Sequence, residues 1–348
     1  MTLRASFRRP LHGLVLGLAA LALGASAAAA QPADGFYKGK TIQLFVGYPP
    51  GGGFDLYARL LTEHMGRHIP GNPTLILQHM PGADSVKMAN YVYGVAPQDG
   101  TVIGLPIHTL VLNEVLWKDE GGQFKIAKFN WIGRLDAIDL TMLAWATTGI
   151  KTIEDVKRKE LIIGSTSVKG TVAMVPTALN RLIGTKFKLV QGYTGTREQM
   201  LAVERGEVQG MGNAPWSTLK ITYPDWIPDK KAYLLYIIGL QRAPDLPDVP
   251  TIVELAPDEE SRKVMHLLAS TSEMGRSFMA GPGAPAERVA ILRKAFMETA
   301  SDPALRDEAQ KRQINLNPMS GERLQALIGE VTSYPDALYE RTRQLVMP

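Results

Sequence analysis

A glycine-rich loop between an apolar run and a helical pattern is the part of this sequence best suited to chemistry. The run "TIQLFVG" (41–47) ends before "YPPGGG", and apolar residues then recur at helical spacing from about 54 to 67. Free N–H groups and the positive end of a helix dipole meet at such a junction, which favours an anion. The glycines allow close approach to the backbone, and the prolines stiffen the loop. The alternative is that these residues form a turn and nothing more.

The anion predicted for this loop is a carboxylate and not a phosphate. The sequence matches neither G-x-x-x-x-G-K-[ST] nor G-x-G-x-x-G, and no lysine follows that would reach a phosphate. Asp55 would repel a bound anion. We therefore expect Asp55 to hydrogen-bond free N–H groups of the first helical turn and hold the loop in shape, with Arg59 bracing it.

Patterns typical of catalysis or metal binding are weak. No G-x-S-x-G is present, so a secreted hydrolase is the less favoured alternative. Glu63, His64 and His68 stand in the order E-H-M-G-R-H and not H-E-x-x-H, so we do not expect zinc there. The absence of cysteine excludes disulfides, thiolate metal sites and a cysteine nucleophile. We expect a protein that is not an enzyme and needs no cofactor or metal.

Short apolar runs alternate with helical patterns along the whole chain. Strands are predicted at 41–47, 74–80, 101–105, 161–165, 208–213 and 232–240, with a long β-rich run at 130–145. Helices are predicted at about 54–67 and 171–182, from Pro285 to about 299, and from about 320 with an interruption at Pro335. The alternation starts afresh near residue 150. This pattern predicts two similar α/β lobes, each a mostly parallel sheet flanked by helices.

The first thirty residues have the features of a secretory signal peptide. Arg4, Arg8 and Arg9 precede a short apolar run at 11–23, and small residues lead to a cleavage position near Ala30. The run is shorter than the about 20 residues that span a bilayer. Without these three arginines the formal net charge falls from +4 to +1, so the charge does not indicate nucleic acid. The sequence predicts a periplasmic protein.

Several stretches occur in an order that matches one family. "YPPGGGFDLYAR" fits P-x-G-G-x-x-D-x-x-x-R, and "MPGADS", "APQDGTVIG" and "GSTSVKGT" follow. "GYTGTREQMLAVERGEVQGM", "LPDVPTIVEL" and "FMAGPGAPAERVAILRKAF" complete the series. Together they resemble the receptors of tripartite tricarboxylate transporters, also called Bug receptors, over nearly the whole mature chain. The resemblance implies a two-lobed periplasmic binding protein fold of type II, with the ligand in the cleft between the lobes.

The resemblance also implies a division of the chain and a set of ligand-binding residues. Residues 1–30 would be the signal peptide, 31–137 with 279–348 lobe 1, and 138–278 lobe 2. The substrate-binding residues it implies are Tyr48, Pro49, Gly51, Gly52, Phe54, Asp55, Pro106, His108, Ser165, Ser167, Lys169, Gly170, Thr171, Tyr193, Gly195 and Asn213. Backbone N–H groups and hydroxyls among them would donate to carboxylate oxygens.

Individual roles within this set differ. Lys169 is the cation expected nearest the ligand, unless it is a solvated loop lysine. His108 is more often a satisfied wall residue than a ligand contact. Phe54 replaces a residue that is usually small in the family, so it is expected to narrow the pocket or stack on a ligand with an apolar or aromatic portion.

The family role is delivery of a small carboxylate, either a di- or tricarboxylate or an aromatic carboxylate, to integral membrane permease subunits. The resemblance implies such a partner, no nucleic acid, and a monomeric receptor. The sequence leaves open an alternative in which the protein serves a sensor kinase or another importer.

Overall fold

The structure is a computed structural model of the 348-residue chain, and it describes residues 1–2, 33–117, 122–165, 168–193 and 196–347. The predicted signal peptide lies almost wholly outside the described residues, as do Ser167 and Gly195. No helix in the described ranges is long and apolar enough to cross a bilayer.

The strands form two separate sheets. In chain order they are β1 (Thr41–Val46), β2 (Thr74–His79), β3 (Val102–Leu105), β4 (Asn130–Arg134), β5 (Leu140–Trp145), β6 (Leu161–Ser165), β7 (Phe187–Gln191), β8 (Gly210–Pro215), β9 (Ala232–Ile238), β10 (Ser277–Ala280) and β11 (Met319–Ser320). The first sheet has the order β11-β4-β10-β3-β1-β2 and the second β7-β6-β8-β5-β9. The prediction of an α/β protein with two sheets is confirmed.

Each sheet has a parallel part and an antiparallel part. In the first, β1 pairs in parallel with β2 and β3, while β10 runs antiparallel to β3 and β4. In the second, β6 pairs in parallel with β7 and β8, while β5 runs antiparallel to β8 and β9. The loops after β1, β3 and β6 therefore leave the carboxyl ends of parallel strands, where ligands gather in such sheets.

Helices cover the sheets and follow most strands. They are α1 (Ala33–Phe36), α2 (Gly53–His64), α3 (Val86–Asn90), α4 (Leu110–Leu116), α5 (Ile153–Arg158), α6 (Thr171–Ile183), α7 (Thr196–Glu204), α8 (Trp216–Thr222), α9 (Glu259–Met274), α10 (Ala286–Ser301), α11 (Pro303–Lys311), α12 (Gly321–Thr332) and α13 (Asp336–Val346). The helix predicted over 54–67 ends at His64 and continues as a 3-10 turn, Met65–His68. A Cβ at Gly66 would lie 2.5 Å from the Pro73 carbonyl oxygen, so the glycine allows β2 to approach.

The β-rich run at 130–145 is two strands and not one. Residues 135–139 leave the first sheet after β4 and enter the second at β5, beside residues 272–276, which return to the first sheet. Backbone hydrogen bonds tie the two crossing segments, from Arg276 N–H to the Asp136 carbonyl at 2.8 Å and from Ile138 N–H to the Ser272 carbonyl at 3.0 Å. Gly275 is required here, because a Cβ would lie 1.9 Å from the Asp136 carbonyl oxygen.

The boundaries proposed for the lobes stay a prediction. The crossing at 135–139 lies beside the proposed break at 137, and the return lies just before the break at 279. The C-terminal segment is shared between the sheets, because α12 packs on β4 whereas α13 packs on α6 of the second sheet. One apolar cluster accordingly runs from Trp131 through Leu140 to Leu345.

Candidate functional site

The loop after β1 is shaped by its glycine and by one buried acid. Gly51 has φ +87°, a conformation that side chains other than glycine seldom adopt. Its N–H donates to Asp55 Oδ2 at 3.0 Å, and Arg59 Nε donates to the same oxygen at 3.0 Å. His79 Nε2 lies 2.8 Å from the other oxygen, Oδ1. The expectation that Asp55 holds the loop in shape and is braced by Arg59 is confirmed.

The hydrogen bonds around Asp55 also fix its charge. Asp55 is only 3% exposed, and burial by itself raises the pKa of a carboxyl. The hydrogen bonds from Arg59, Gly51 and His79 outweigh that effect, so the pKa of Asp55 lies below its usual value. Both carboxylate oxygens are engaged within the protein, and Asp55 does not line the cavity described next.

A cavity of about 250 Å³ lies where the two sheets face each other across the crossing segments. It is lined by Tyr48, Phe54, Ile107, His108, Thr109, Ile138, Leu140, Gly170, Thr171, Val172, Thr196, Pro215 and Arg276. First-turn residues of three helices are among them, from α2, α6 and α7. The walls between these residues are largely apolar.

The helix starts that reach the cavity have N–H groups without helical partners. In α2 the first intrahelical bond runs from Leu56 N–H to the Gly52 carbonyl at 3.1 Å, so the preceding N–H groups are left over. Gly52 precedes α2 and Gly170 precedes α6, and neither supplies a side chain that caps the helix. These starts are suited to an anion, since the helix dipole and the free donors act together.

Arg276 is the cation that lines the cavity, and the sequence analysis did not single it out. It stands just before β10 on the returning crossing segment. Its guanidinium carbon lies 4.0 Å from the ring centroid of Phe54 and 5.3 Å from that of Tyr57. It also lies against the start of α2, because a Cβ at Gly53 would be 2.8 Å from Arg276 Nη2. The signal available in the sequence was a basic residue two positions before the motif "FMAGPGAPAERVAILRKAF".

His108 is a second polar side chain in the cavity wall. Both ring nitrogens are buried, and neither has a hydrogen-bond partner among the described residues. Burial, with a smaller contribution from Arg276, lowers the pKa of His108 to about 3. The ring is therefore neutral at physiological pH, with one nitrogen able to donate and the other to accept. The interpretation of His108 as a satisfied wall residue is wrong for the described part of the chain.

Asp136, on the first crossing segment, lies behind Arg276. Asn315 Nδ2 donates to Asp136 Oδ1 at 2.9 Å, and the Tyr57 hydroxyl lies 2.8 Å from Oδ2. The same hydroxyl lies 2.7 Å from the Asn315 carbonyl oxygen. Burial raises the pKa of Asp136 to about 7, against the lowering effects of the Tyr57 hydrogen bond and the two arginines nearby.

The structure places five of the expected ligand-binding residues on the cavity wall: Tyr48, Phe54, His108, Gly170 and Thr171. It places eight others outside that wall: Pro49, Gly51, Gly52, Asp55, Pro106, Ser165, Lys169 and Tyr193. The side chain of Asn213, like Ser167 and Gly195, lies outside what the structure describes. Lys169, the cation expected nearest the ligand, instead has its ammonium 5.7 Å from the Trp117 ring centroid. Thr196 lies within the quoted motif "GYTGTREQMLAVERGEVQGM", whereas Thr109, Pro215 and the apolar wall residues lie in no motif that would have marked them.

Phe54 lies on the cavity wall, and its ring is held by contacts within the protein. Its ring stacks on Tyr48, with centroids 5.3 Å apart and planes at 27°, and Arg276 lies over it as well. The ring contributes to the cavity wall, but its stacking partners are side chains of the protein.

Two other features of the described chain could bind a ligand or a metal ion, but each has less in its favour than this cavity. A larger cavity of about 590 Å³ lies between α9 and the α12–α13 junction, and it contains none of the expected ligand-binding residues. Glu63, His64 and Glu308 have ligand atoms within 4.8 Å of one another. His64 there lies between Glu308 and Arg67, and Arg312 pairs with both acids, so this is an ion-pair network.

The chain is similar to known proteins along its length, although no family model matches it. It is 25% identical to the "UPF0065 protein in gbd 5'region" of Cupriavidus necator, over 94% of this chain and 95% of that protein. Among solved structures, a TctC solute-binding protein from Polaromonas superposes with a TM-score of 0.65 at 20% identity, covering 88% of this chain and 99% of that one. The periplasmic binding protein BugD superposes with a TM-score of 0.62 at 20% identity, covering 89% of this chain and 99% of BugD.

Two further structures that share the fold contain ligands. A Rhodopseudomonas palustris protein with adipate superposes with a TM-score of 0.63 at 16% identity, covering 88% of this chain and 97% of that one. MatC from the same organism, with bound malate, superposes with a TM-score of 0.59 at 19% identity, covering 88% of this chain and 99% of MatC. The fold of the chain is therefore that of periplasmic solute-binding proteins. Together with the motifs, these comparisons confirm the resemblance to the Bug receptors of tripartite tricarboxylate transporters, and the Polaromonas TctC protein and BugD are described as solute-binding and periplasmic binding proteins.

Proposed function

We propose that this protein is a periplasmic receptor that captures a small organic carboxylate in the cleft between its two sheets. The observation that carries the proposal is the cavity in which three helix starts and Arg276 meet. Each of these features favours a negative charge, whereas the remaining walls favour an apolar segment. A di- or tricarboxylate or an aromatic carboxylate has both a negative charge and an apolar segment.

The size of the cavity and the proteins of the same fold support this ligand class. A volume of about 250 Å³ lies at the lower end of the range for ligand pockets, which favours a small acid. The R. palustris structures hold malate and adipate, which are small dicarboxylates. Ligand groups would be supplied from both sheets, by the loops after β1 and β3 on one side and the starts of α6 and α7 on the other. Such a ligand stabilises the closed arrangement of the two sheets.

We propose that the closed form delivers its ligand to the integral membrane subunits of a tripartite tricarboxylate-type permease. The support is the family resemblance and the signal-peptide features of residues 1–30, which favour export of the mature protein across the inner membrane. Residues around the cleft mouth would meet the permease, because closure of the cleft brings the residues of its two sides together.

Thermal melts of residues 31–348 against a panel of carboxylates test the binding step. A ligand at about 100 times its Kd stabilises the folded state by about 2.7 kcal/mol, which raises Tm by several degrees in a chain of this size. We expect the shift with one carboxylate class and no turnover of the ligand. Bound ligand is first removed by unfolding and refolding. No shift with any carboxylate, or conversion of the ligand to product, contradicts the proposal.

Uptake measurements test delivery separately. Cells that lack this gene should lose uptake of the labelled ligand, and the wild-type gene should restore it. Normal uptake without the protein, with ligand binding intact in vitro, would separate the receptor from transport and favour a signalling partner.

A further inference from the structure

We propose that Arg276 pairs with one carboxylate of the ligand and makes the cavity selective for the number of negative charges that the ligand carries. The inference rests on the proposed function and adds to it a residue that determines specificity.

The first observation is that Arg276 has no ionic partner of its own. No acid among the described residues lies within 4.0 Å of its guanidinium, and no side-chain hydrogen bond joins it to the rest of the described chain. Its Nε is buried without a partner. Its contacts are the ring faces of Phe54 and Tyr57, which attract a cation but do not use its N–H donors. A buried guanidinium without an ionic partner lowers the stability of the folded state unless an anion binds to it.

The second observation is that the nearest acid does not neutralise Arg276. Asp136 faces Arg276 from the crossing segment, and Tyr57, Arg134 and Asn315 surround it. Its oxygens contact Tyr57 and Asn315, and it forms no ion pair with Arg276 within 4.0 Å. Burial also raises the pKa of Asp136 to about 7, so it carries only part of a negative charge near neutral pH. Arg134 is paired with Glu273 at 2.5 Å. The charge of Arg276 is thus left for a group that enters the cavity.

The third observation is the position of Arg276 relative to the other donors. Arg276 and the start of α2 belong to the side of the first sheet, whereas Thr171 and Thr196 belong to the side of the second. Ile138 and Leu140 line the wall between them. A dicarboxylate can therefore place one carboxylate on Arg276 and the other on the starts of α6 and α7, with its apolar segment along the wall.

Calorimetric titration of wild-type protein and Arg276→Met with adipate, malate and the monoamide of adipic acid tests the proposal. Losing a charged hydrogen-bonding partner corresponds to a roughly tenfold to hundredfold weaker affinity for the dicarboxylate. The wild type should prefer adipate to the monoamide. Arg276→Met should lose that preference, because the single carboxylate of the monoamide still reaches the helix starts.

Two more variants make the result specific to Arg276. Arg262→Met removes an exposed arginine on α9, away from the cleft, and should bind as the wild type does. Arg276→Lys keeps the charge without the planar fork and should give an intermediate affinity. It also serves if Arg276→Met proves unfolded by circular dichroism.

The outcomes separate this inference from the proposed function. If the wild type binds no carboxylate, the receptor proposal fails and this inference fails with it. If the wild type binds a dicarboxylate and Arg276→Met or Arg276→Lys binds it equally well with the same preference over the monoamide, the receptor stands and the role of Arg276 is refuted.

Discussion

Replacing Asp136 by asparagine should stabilise the protein at neutral and alkaline pH. The single hydroxyl hydrogen of Tyr57 is shared between two neighbouring oxygen atoms. The Tyr57 hydroxyl lies 2.7 Å from the Asn315 carbonyl oxygen and 2.8 Å from Asp136 Oδ2, yet it carries a single hydrogen. If Asp136 is ionised, one of these contacts joins two oxygens with no hydrogen between them. If Asp136 is protonated, it donates to Tyr57, Tyr57 donates to the carbonyl, and both contacts are satisfied.

Asparagine reproduces the protonated acid. Its amide nitrogen replaces the hydroxyl that donates to Tyr57, and its oxygen still accepts from Asn315. Because Asp136 is only 4% exposed, its ionised form is poorly hydrated. The substitution therefore keeps the network and removes the titration.

The size of the stabilisation expected for Asp136→Asn follows from the pKa of Asp136. Burial raises the pKa of Asp136 from an ordinary 3.8 to about 7, and each pKa unit corresponds to about 1.4 kcal/mol. Ionised Asp136 thus lowers the free energy of unfolding by up to about 4 kcal/mol. Between pH 3.8 and about 7 the folded state binds more protons than the unfolded state, so wild-type stability from this group falls as pH rises and then levels off.

The assay is denaturant unfolding of both proteins from pH 4 to pH 8.5, with Asp307→Asn, at an exposed position on α11, as the matched control. Other titrating groups cancel in the difference between wild type and Asp136→Asn. That difference should be near zero at pH 4, grow through pH 6 and be constant above about pH 7. A difference that does not change with pH, or a less stable Asp136→Asn at pH 8, would refute the reasoning. The control should show no such growth.

Three further perturbations have definite expected results. Gly51→Ala should cost about 1–3 kcal/mol of stability because of the φ of +87°, whereas Gly52→Ala should be tolerated, since φ is −97° and no atom lies within 4 Å of an added Cβ; equal denaturation midpoints would contradict this. Asp55→Asn should cost about 1.5–3 kcal/mol at pH 7, and the loss should fade in acid as wild-type Asp55 protonates below its ordinary pKa; chemical denaturation at pH 7 and pH 3 measures both. The His108 ring should stay neutral from pH 8 to pH 5, and its NMR signals should not titrate there. Because the unfolded state takes up that proton below about pH 6.5, His108 should lower stability as pH falls.

The sequence predicts well those features that depend on residues close together in the chain. The strand and helix patterns, the position of the loop at 48–53 and the bracing of Asp55 by Arg59 depend on residues close in the chain, where spacing determines contact. The run at 130–145 is β-rich throughout, and its composition does not change where the backbone leaves one sheet for the other. The same limit applies within the loop, where nothing in the sequence shows that Gly51 and not Gly52 has the left-handed conformation.

What the sequence does not show is the juxtaposition of distant polar groups. Asp136 and Arg276 stand on crossing segments far apart in the chain, and nothing in either local pattern marks them as neighbours. Lys169 was chosen as the cation because it lies in a motif. Arg276 lies in none, and only the pairing of the crossing segments brings it to the cavity.

The aromatic residue beside Asp55 and the arginine before β10 are best understood as one feature. A guanidinium buried without an acid needs a surface that accepts its charge, and the Phe54 ring supplies one at 4.0 Å, an arrangement that contributes about 0.5–2 kcal/mol. Tyr48 fixes the orientation of that ring from the loop. A small residue at position 54 would leave Arg276 without this support. Ile107, Ile138 and Leu140 add further apolar wall to the cavity, and we infer that Phe54 positions the cation that is proposed to read the charge of the ligand.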